Sequence, residues 1–181
     1  MTRIITVTGH RPKYFKNGYS EQHNKLLYNL FYNWLFKAHS ENTIDIYISG
    51  MALGVDIQST KAALDLEIPV IAGVPFKNQD ARWSVKQQAE YRHLLTLVKE
   101  VVYVDELTDS QYLVKNSKPG LYNPYKLLLR NNWMIDQCTE VLALWNRNPE
   151  GGTYQAVKYA KSKGLTITNL WDKYETYNQR S

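Results

Sequence analysis

Two segments place a pair of glycines between a strand-like run and a helical pattern. One is Ser49-Gly50-Met51-Ala52-Leu53-Gly54-Val55-Asp56, the other Asn148-Pro149-Glu150-Gly151-Gly152-Thr153. Glycine admits positive φ and close backbone approach. The helix that follows offers unpaired N–H groups and the positive end of its dipole. Such a turn suits a phosphate or another anion. Neither segment has the spacing of the dinucleotide fingerprint or of the P-loop, which needs Gly-Lys-Ser/Thr. Each also reads as an ordinary strand–helix turn, with Asp56 favourable in a first helical turn and Thr153 as a cap. Two such turns in one chain point at one ligand edge from different strands.

Three further groups carry chemistry. In Gly9-His10-Arg11-Pro12 the proline restricts Arg11 to an extended backbone. From there Arg11 could grip a phosphate or carboxylate with two parallel bonds, and His10 could bond a ligand or act as an acid. The alternative is a surface loop. In Arg130-Asn131-Asn132-Trp133-Met134-Ile135-Asp136, Asn132 and Asp136 share a helix face and Arg130 lies elsewhere around the helix. These polar groups either contact a ligand or form the solvated face of an amphipathic helix. Pro75-Phe76-Lys77-Asn78-Gln79 with Trp83 could stack a base and read its edge, or plug the sheet edge.

The elements that must position these groups are legible from periodicity. Strand patterns cover residues 3–8, 45–49, 68–74, 100–104, 139–145 and 165–170. Helical patterns cover 21–39, the stretch from the first glycine turn to 66, 87–98, 125–137 and 151–163. Ser20 can cap the first helix, and Gly164 closes the last. Leu26, Leu30 and Trp34 mark a face that is either core or a dimer surface. Residues 105–122 are mostly loop, and a loop that long is more often functional than connective. No element is assigned from 172 onward. Strand and helix alternate throughout, which predicts an α/β fold: one Rossmann-like, doubly wound domain over residues 1–170 with a C-terminal tail, 171–181. Its sheet is mainly parallel, of five to seven strands, with helices on both faces. In such sheets ligands sit beyond the carboxyl ends of the strands, where the four loop motifs fall.

Composition narrows the function classes. The chain has 181 residues with 22 Lys+Arg against 17 Asp+Glu, a net charge of +5. A 44% hydrophobic content fits a globular core rather than disorder. The longest apolar run, residues 68–76, is too short to span a bilayer at roughly 20 residues per helix, so no membrane partner is expected. The first residues enter a strand with no signal peptide before it, which predicts a cytoplasmic location. The single cysteine, Cys138, excludes an internal disulfide framework and a Cys-rich zinc site. No metal and no cofactor are expected. The 14 Tyr and 5 Trp beside the positive charge suit nucleic acid, a nucleotide-like ligand or a Tyr-rich surface. The basic residues are scattered, which disfavours a nucleic-acid track.

Taken along the chain, Gly9-His10-Arg11-Pro12, the 48–56 turn, Pro75-Phe76, Arg130-Asn131 with Met134 and Asp136, and Gly151-Gly152-Thr153 resemble YpsA-like proteins of the SLOG superfamily, which also holds the DprA and Lonely Guy branches. The resemblance runs from Thr8 to about Leu170. It implies a Rossmann-like fold that binds a nucleotide or a nucleotide-derived ligand, ADP-ribose-like or cyclic, as a sensor or sequestering protein, for instance in phage–bacterium conflict. It also implies two alternatives: N-glycosidic hydrolysis as in the Lonely Guy branch, and single-stranded nucleic acid binding as in the DprA branch. The Lonely Guy signature ends in a catalytic Glu where this chain has Ala156, whose methyl group cannot act as an acid. A binding protein is therefore expected. Were it an enzyme, Asp56 or Glu150 would supply the carboxylate near the ribose C1′. The residues expected at the ligand are Gly9, His10 and Arg11; Ser49, Gly50, Met51, Ala52, Gly54 and Asp56; Pro75, Phe76 and Trp83; Arg130, Asn131 and Asp136; and Gly151, Gly152 and Thr153. Asp56 or Asp136 would take ribose hydroxyls. A homo-oligomer is compatible with the sequence.

Overall fold

The computed structural model describes residues 2–179. Its strands are β1 (Ile4–Gly9), β2 (Ile46–Ser49), β3 (Val70–Val74), β4 (Glu100–Tyr103), β5 (Glu140–Leu144) and β6 (Thr166–Asn169). Its helices are α1 (Glu21–Glu41), α2 (Val55–Asp65), α3 (Val85–Leu97), α4 (Pro124–Asp136), α5 (Gly151–Ser162) and α6 (Trp171–Gln179). The six strands form one sheet in the order β4-β3-β2-β1-β5-β6, and every pair is parallel. From β1 the chain steps outward to β4, then returns to lay β5 on the other side of β1. The direction of winding reverses between β1 and β5, and a reversal opens a crevice at the carboxyl ends of the two strands.

The period-2 alternation of β1 divides two hydrophobic layers. Ile5 and Val7 face Leu27, Leu30, Phe31 and Leu35 of α1 together with Ala62 and Ala63 of α2. Further along that side, Ala72 and Val74 meet Ile57 of α2 and Tyr91 and Leu94 of α3. On the opposite side Ile48 packs on Trp133 and Met134 of α4. Val141 packs there on Ile135 of α4 and on Ala156 and Ala160 of α5. Leu26 and Trp34 are partly buried against the first layer, so the face they mark with buried Leu30 is core.

Caps explain where helices start. Ser20 Oγ accepts the His23 N–H at 3.1 Å. Ser84 and Gln87 form a reciprocal capping box, so α3 begins at Val85, two residues before its expected start. Asn123 caps α4, with Pro124 in its first turn. The stretch between β4 and α4 is loop apart from two short 3-10 turns, Val104–Glu106 and Ser110–Tyr112. It is pinned from beneath. Lys126 Nζ donates to Asp105 Oδ2 at 2.8 Å and to the carbonyls of Lys118 and Leu121, and Gly120 N–H donates to the same carboxylate.

The sequence reading assigned no element from 172 onward, and the structure differs. Trp171–Gln179 is helical, and its Trp171 and Tyr174 pack on Phe15, while Tyr174 also meets the ring of His23. Spacing of three puts both rings on one face. The signal is weak in sequence because two aromatics in a polar stretch make a narrow apolar stripe.

Candidate functional site

A cavity of about 430 Å³ opens at the carboxyl ends of β1 and β5, where the winding reverses. Its wall is drawn from four elements. The end of β1 and the turn after it contribute Thr8, Gly9, His10, Arg11, Lys13 and Tyr14. The turn before α2 and its first residues contribute Ala52 and Asp56. Helix α4 contributes Pro124, Leu127, Leu128, Arg130 and Asn131. The β5–α5 connection contributes Asn146, Asn148, Glu150, Gly151, Gly152 and Thr153.

The wall holds a buried ion pair. The Arg130 guanidinium is 4% exposed and lies 3.7 Å from Asp56 Oδ2, an ion pair too long to be a hydrogen bond. Arg130 Nη1 donates to the Gly73 carbonyl at 3.3 Å. Its Nε is buried without a hydrogen-bond partner. Burial pulls Arg130 down to about 10, against the pull of Asp56. Burial likewise pushes the Asp56 carboxyl up, opposed by Arg130, by Arg11 and by the Ala52 N–H. Both shifts share one cause: two charges held away from water and only loosely joined. A guanidinium in that state has unspent capacity for an anion.

The two glycine turns play different parts. A methyl group on residue 50 would land on the Arg130 guanidinium and 2.7 Å from Asp56 Oδ2, so Gly50 leaves the space that the arginine fills. Asp56 Oδ2 accepts the Ala52 N–H at 3.2 Å, and Ile57 N–H donates to the Ala52 carbonyl. Ser49 Oγ accepts the Met51 N–H and donates to the Asp56 carbonyl. Pro12 packs over Gly54. This turn is therefore occupied by the protein's own groups, and of its residues only Ala52 and Asp56 line the cavity.

The second turn is open. Gly151 has φ +80°, which only glycine adopts cheaply. A methyl group at 152 would meet nothing within 4 Å. Glu150 sits at the N-cap of α5, yet its side chain makes no capping bond. The first N–H groups of this 12-residue helix therefore have no side-chain cap, and Gly151, Gly152 and Thr153 line the cavity.

His10 is 7% exposed, and its ring is turned into the protein. Its Nε2 lies 2.8 Å from Asn146 Oδ1 and 3.2 Å from Asn146 N. Burial lowers its pKa, against the Asn146 bond. Asn146 Oδ1 also accepts the Asn148 N–H, so His10 braces the loop that leads to α5.

The cavity thus gathers Gly9, His10, Arg11, Ala52, Asp56, Arg130, Asn131, Glu150, Gly151, Gly152 and Thr153 from the expected residues. Others lie elsewhere. Pro75 is buried behind the sheet end. Phe76 is 4% exposed, edge-on to Tyr122 and beneath Lys126 Nζ. Trp83 packs on Tyr91 of α3. Asp136, at the far end of α4, is saturated by Lys163, Tyr112 and Tyr159. Val7, Thr8, Lys13, Tyr14, Pro124, Leu127, Leu128, Asn146 and Asn148 line the cavity without having been expected there. The two asparagines stood beside the second glycine turn, at the carboxyl end of a strand, and could have been found there. Among the described residues, no group of three or more His, Cys, Asp or Glu could hold a metal ion, and no helix is long and apolar enough to cross a membrane.

A parallel sheet with its crevice at the winding reversal is the Rossmann-like class of fold. The family model YpsA, described as the YspA SLOG family, matches residues 5–171, and the chain belongs to that family. An uncharacterized SPbeta prophage-derived protein of Bacillus subtilis, YoqJ, is 33% identical over 137 residues, covering 73% of this chain and 78% of that one. Among solved structures, DNA processing protein A of Streptococcus pneumoniae aligns with a TM-score of 0.61 at 17% identity, over 99% of this chain and 57% of that chain. The Helicobacter pylori protein of the same name, whose structure concerns its single-stranded DNA binding mode, aligns with a TM-score of 0.58 at 15% identity, over 92% and 64%. The chain spans less than two thirds of either, and at such identities the likeness is one of fold.

Proposed function

We propose that the protein binds a nucleotide or nucleotide-derived small ligand by its phosphate in the cavity between β1 and β5, as a sensor or sequestering protein. The observation that carries the reading is Arg130: buried, with Nε unpartnered, in the wall of the cavity that also holds Arg11 and the uncapped start of α5. Phosphate oxygens take the N–H groups of Gly151, Gly152 and Thr153, and Arg11 and Arg130 supply the countercharge. Leu127, Leu128 and Pro124 offer an apolar wall for a base, and Asn131 and Asn148 offer amides to its edge. Asp56 is committed to Arg130 and Ala52, which leaves it a positioning part rather than a ribose contact.

Binding is favoured over N-glycoside hydrolysis by position 156. Ala156 is 1% exposed and packed with Ile135 and Val141, and its methyl group supplies no acid. Titration calorimetry with AMP, ADP-ribose and a cyclic dinucleotide tests the reading, beside mass spectrometry of small molecules released from the purified protein. The expected result is heat with at least one of them, weakened roughly tenfold or more in Arg11→Ala, the loss of one charge-assisted contact. No heat with any, and no released species, would sink it. Base release with AMP would favour the hydrolase.

A second reading, single-stranded nucleic acid, is supported by exposed rings: Tyr14, Tyr19, Tyr122 and Tyr125 are 59–66% exposed, and Lys13 sits over Tyr14. Bases stack on such rings. It predicts oligonucleotide affinity that falls steeply with salt.

A further inference from the structure

The two loops that line the cavity are held from outside it by one corner of the fold. At the end of β6 the ladder to β5 stops at Asn169 beside Ala143. The Asn169 side chain then continues it. Its Oδ1 accepts the Trp145 N–H at 3.1 Å, and its Nδ2 donates to the Trp145 carbonyl at 2.8 Å. The same Oδ1 accepts the Trp171 N–H that opens α6, at 3.3 Å. One amide thus joins the start of the Asn146–Glu150 loop to the start of α6.

Two more contacts leave the same corner. The Asp172 carboxylate accepts from Arg147 Nη1 and Nη2, at 2.9 and 2.8 Å. Arg147 sits mid-loop with φ +67°, a left-handed backbone that a non-glycine residue keeps only when its surroundings hold it there. The Trp171 ring meets the edge of His10 at 5.9 Å and stacks on Phe15 at 6.0 Å. His10 and Phe15 flank the segment that carries Arg11, Lys13 and Tyr14 into the cavity. None of Asn169, Trp171, Arg147 or Asp172 lines the cavity itself.

We propose that Asn169, Trp171 and Asp172 form a positioning clamp that sets the geometry of both cavity loops, so that α6 docking and ligand affinity are coupled. The coupling to affinity rests on the function proposed above; the clamp on the loops does not. An exposed ion pair alone holds little, so Asn169 and Trp171 bear most of the clamp and Arg147–Asp172 trims it.

Hydrogen exchange on the unliganded protein tests it, with Asn169→Ala, Trp171→Ala and the surface variant Asp172→Ala. The hydrogen-bonded amides of the two loops, at His10, Tyr14, Phe15, Trp145, Asn146 and Asn148, should exchange roughly tenfold faster in Asn169→Ala and Trp171→Ala, while those of β2 keep their protection. In Asp172→Ala the acceleration should be smaller and confined to 144–153. Asp172→Ala, a change at an exposed side chain, keeps the test open should the others unfold. Wild-type rates in both loops in every folded variant would overturn the clamp. AMP titration on the same proteins then separates the two ideas. If wild type binds AMP, the affinity should fall roughly tenfold in Asn169→Ala, and an unchanged affinity would overturn the coupling. If wild type binds neither AMP nor ADP-ribose nor the cyclic dinucleotide, and releases no bound species, the functional reading falls and the exchange result still decides the clamp; where another of the three binds in place of AMP, it takes the place of AMP in the comparison.

Discussion

Gly50 and Gly152 look alike in sequence, each beside a strand end and a helix start, but their neighbours give them opposite work. Gly50 is the floor under a buried guanidinium, whereas Gly152 borders open space. A methyl group at 50 must displace Arg130 from Asp56, which overpacks the site and breaks a buried pair. Gly50→Ala should cost about 3 kcal/mol or more, read as a lowered denaturant midpoint. Gly152→Ala should change stability by less than about 1 kcal/mol while weakening whatever anion the α5 start holds. Equal costs for the two would contradict the different surroundings seen here. The motif at 49–56 was legible as a turn. Its occupant was not, because Arg130 arrives from 80 positions away and no local pattern announces which side chain fills a gap.

At the scale of elements, the strand and helix alternation was readable as far as β6 because buried strands and amphipathic helices carry strong local periods. The 105–122 segment was readable only as loop. What orders it is Lys126 in the first turns of α4, 2% exposed at its side chain and bonded to Asp105 and two loop carbonyls. Asp105→Ala would leave that ammonium buried without its counterion, at a cost of about 3–5 kcal/mol. The double variant Asp105→Leu with Lys126→Met should recover much of the loss, since an apolar pair of similar size needs no desolvation. Urea unfolding of wild type, Asp105→Ala, the two single variants Asp105→Leu and Lys126→Met, and the double variant gives the comparison and completes the cycle. A double variant no better than Asp105→Ala would show that the loop depends on the carbonyl contacts of Lys126 rather than on the pair. Lysine in a helix ordinarily reads as solvent-facing, which is why sequence reasoning passed over it. Helix α6 escaped for a related reason: its stripe is two rings wide and acquires meaning only against Phe15 and His23.

For the whole molecule, those rings tie the segment after β1 to α1 and α6 in one aromatic cluster that contains two buried histidines. His23 Nε2 has no hydrogen-bond partner, and burial lowers the pKa of both His23 and His10 from 6.5. The unfolded chain therefore takes up protons near pH 6.5 that the fold resists. Stability contributed by the neutral rings is fully present above pH 6.5 and is lost as pH falls through the lower folded values. The slope for one proton is at most about 1.4 kcal/mol per pH unit. Denaturation midpoints from pH 8 to pH 5 should fall less steeply in His23→Phe than in wild type. The comparison cancels Asp56, whose raised carboxyl acts in the opposite sense. Parallel profiles would mean that His23 takes up its proton without cost.

The sequence by itself determined the order of strands and helices as far as β6, the Rossmann-like class, the family, and which loops lie at the carboxyl edge. These follow from local periodicity and from motifs whose residues are neighbours in the chain. The tertiary structure alone decided which of those loops meet. It put β1 beside β5, filled one glycine turn with Arg130 and Asp56, and left the other open to the cavity. It took Phe76, Trp83 and Asp136 away into packing and ion pairs. The physical reason is distance along the chain: whether a glycine is a floor or an open mouth depends on which side chains fold against it, and those come from strands and helices far away in sequence.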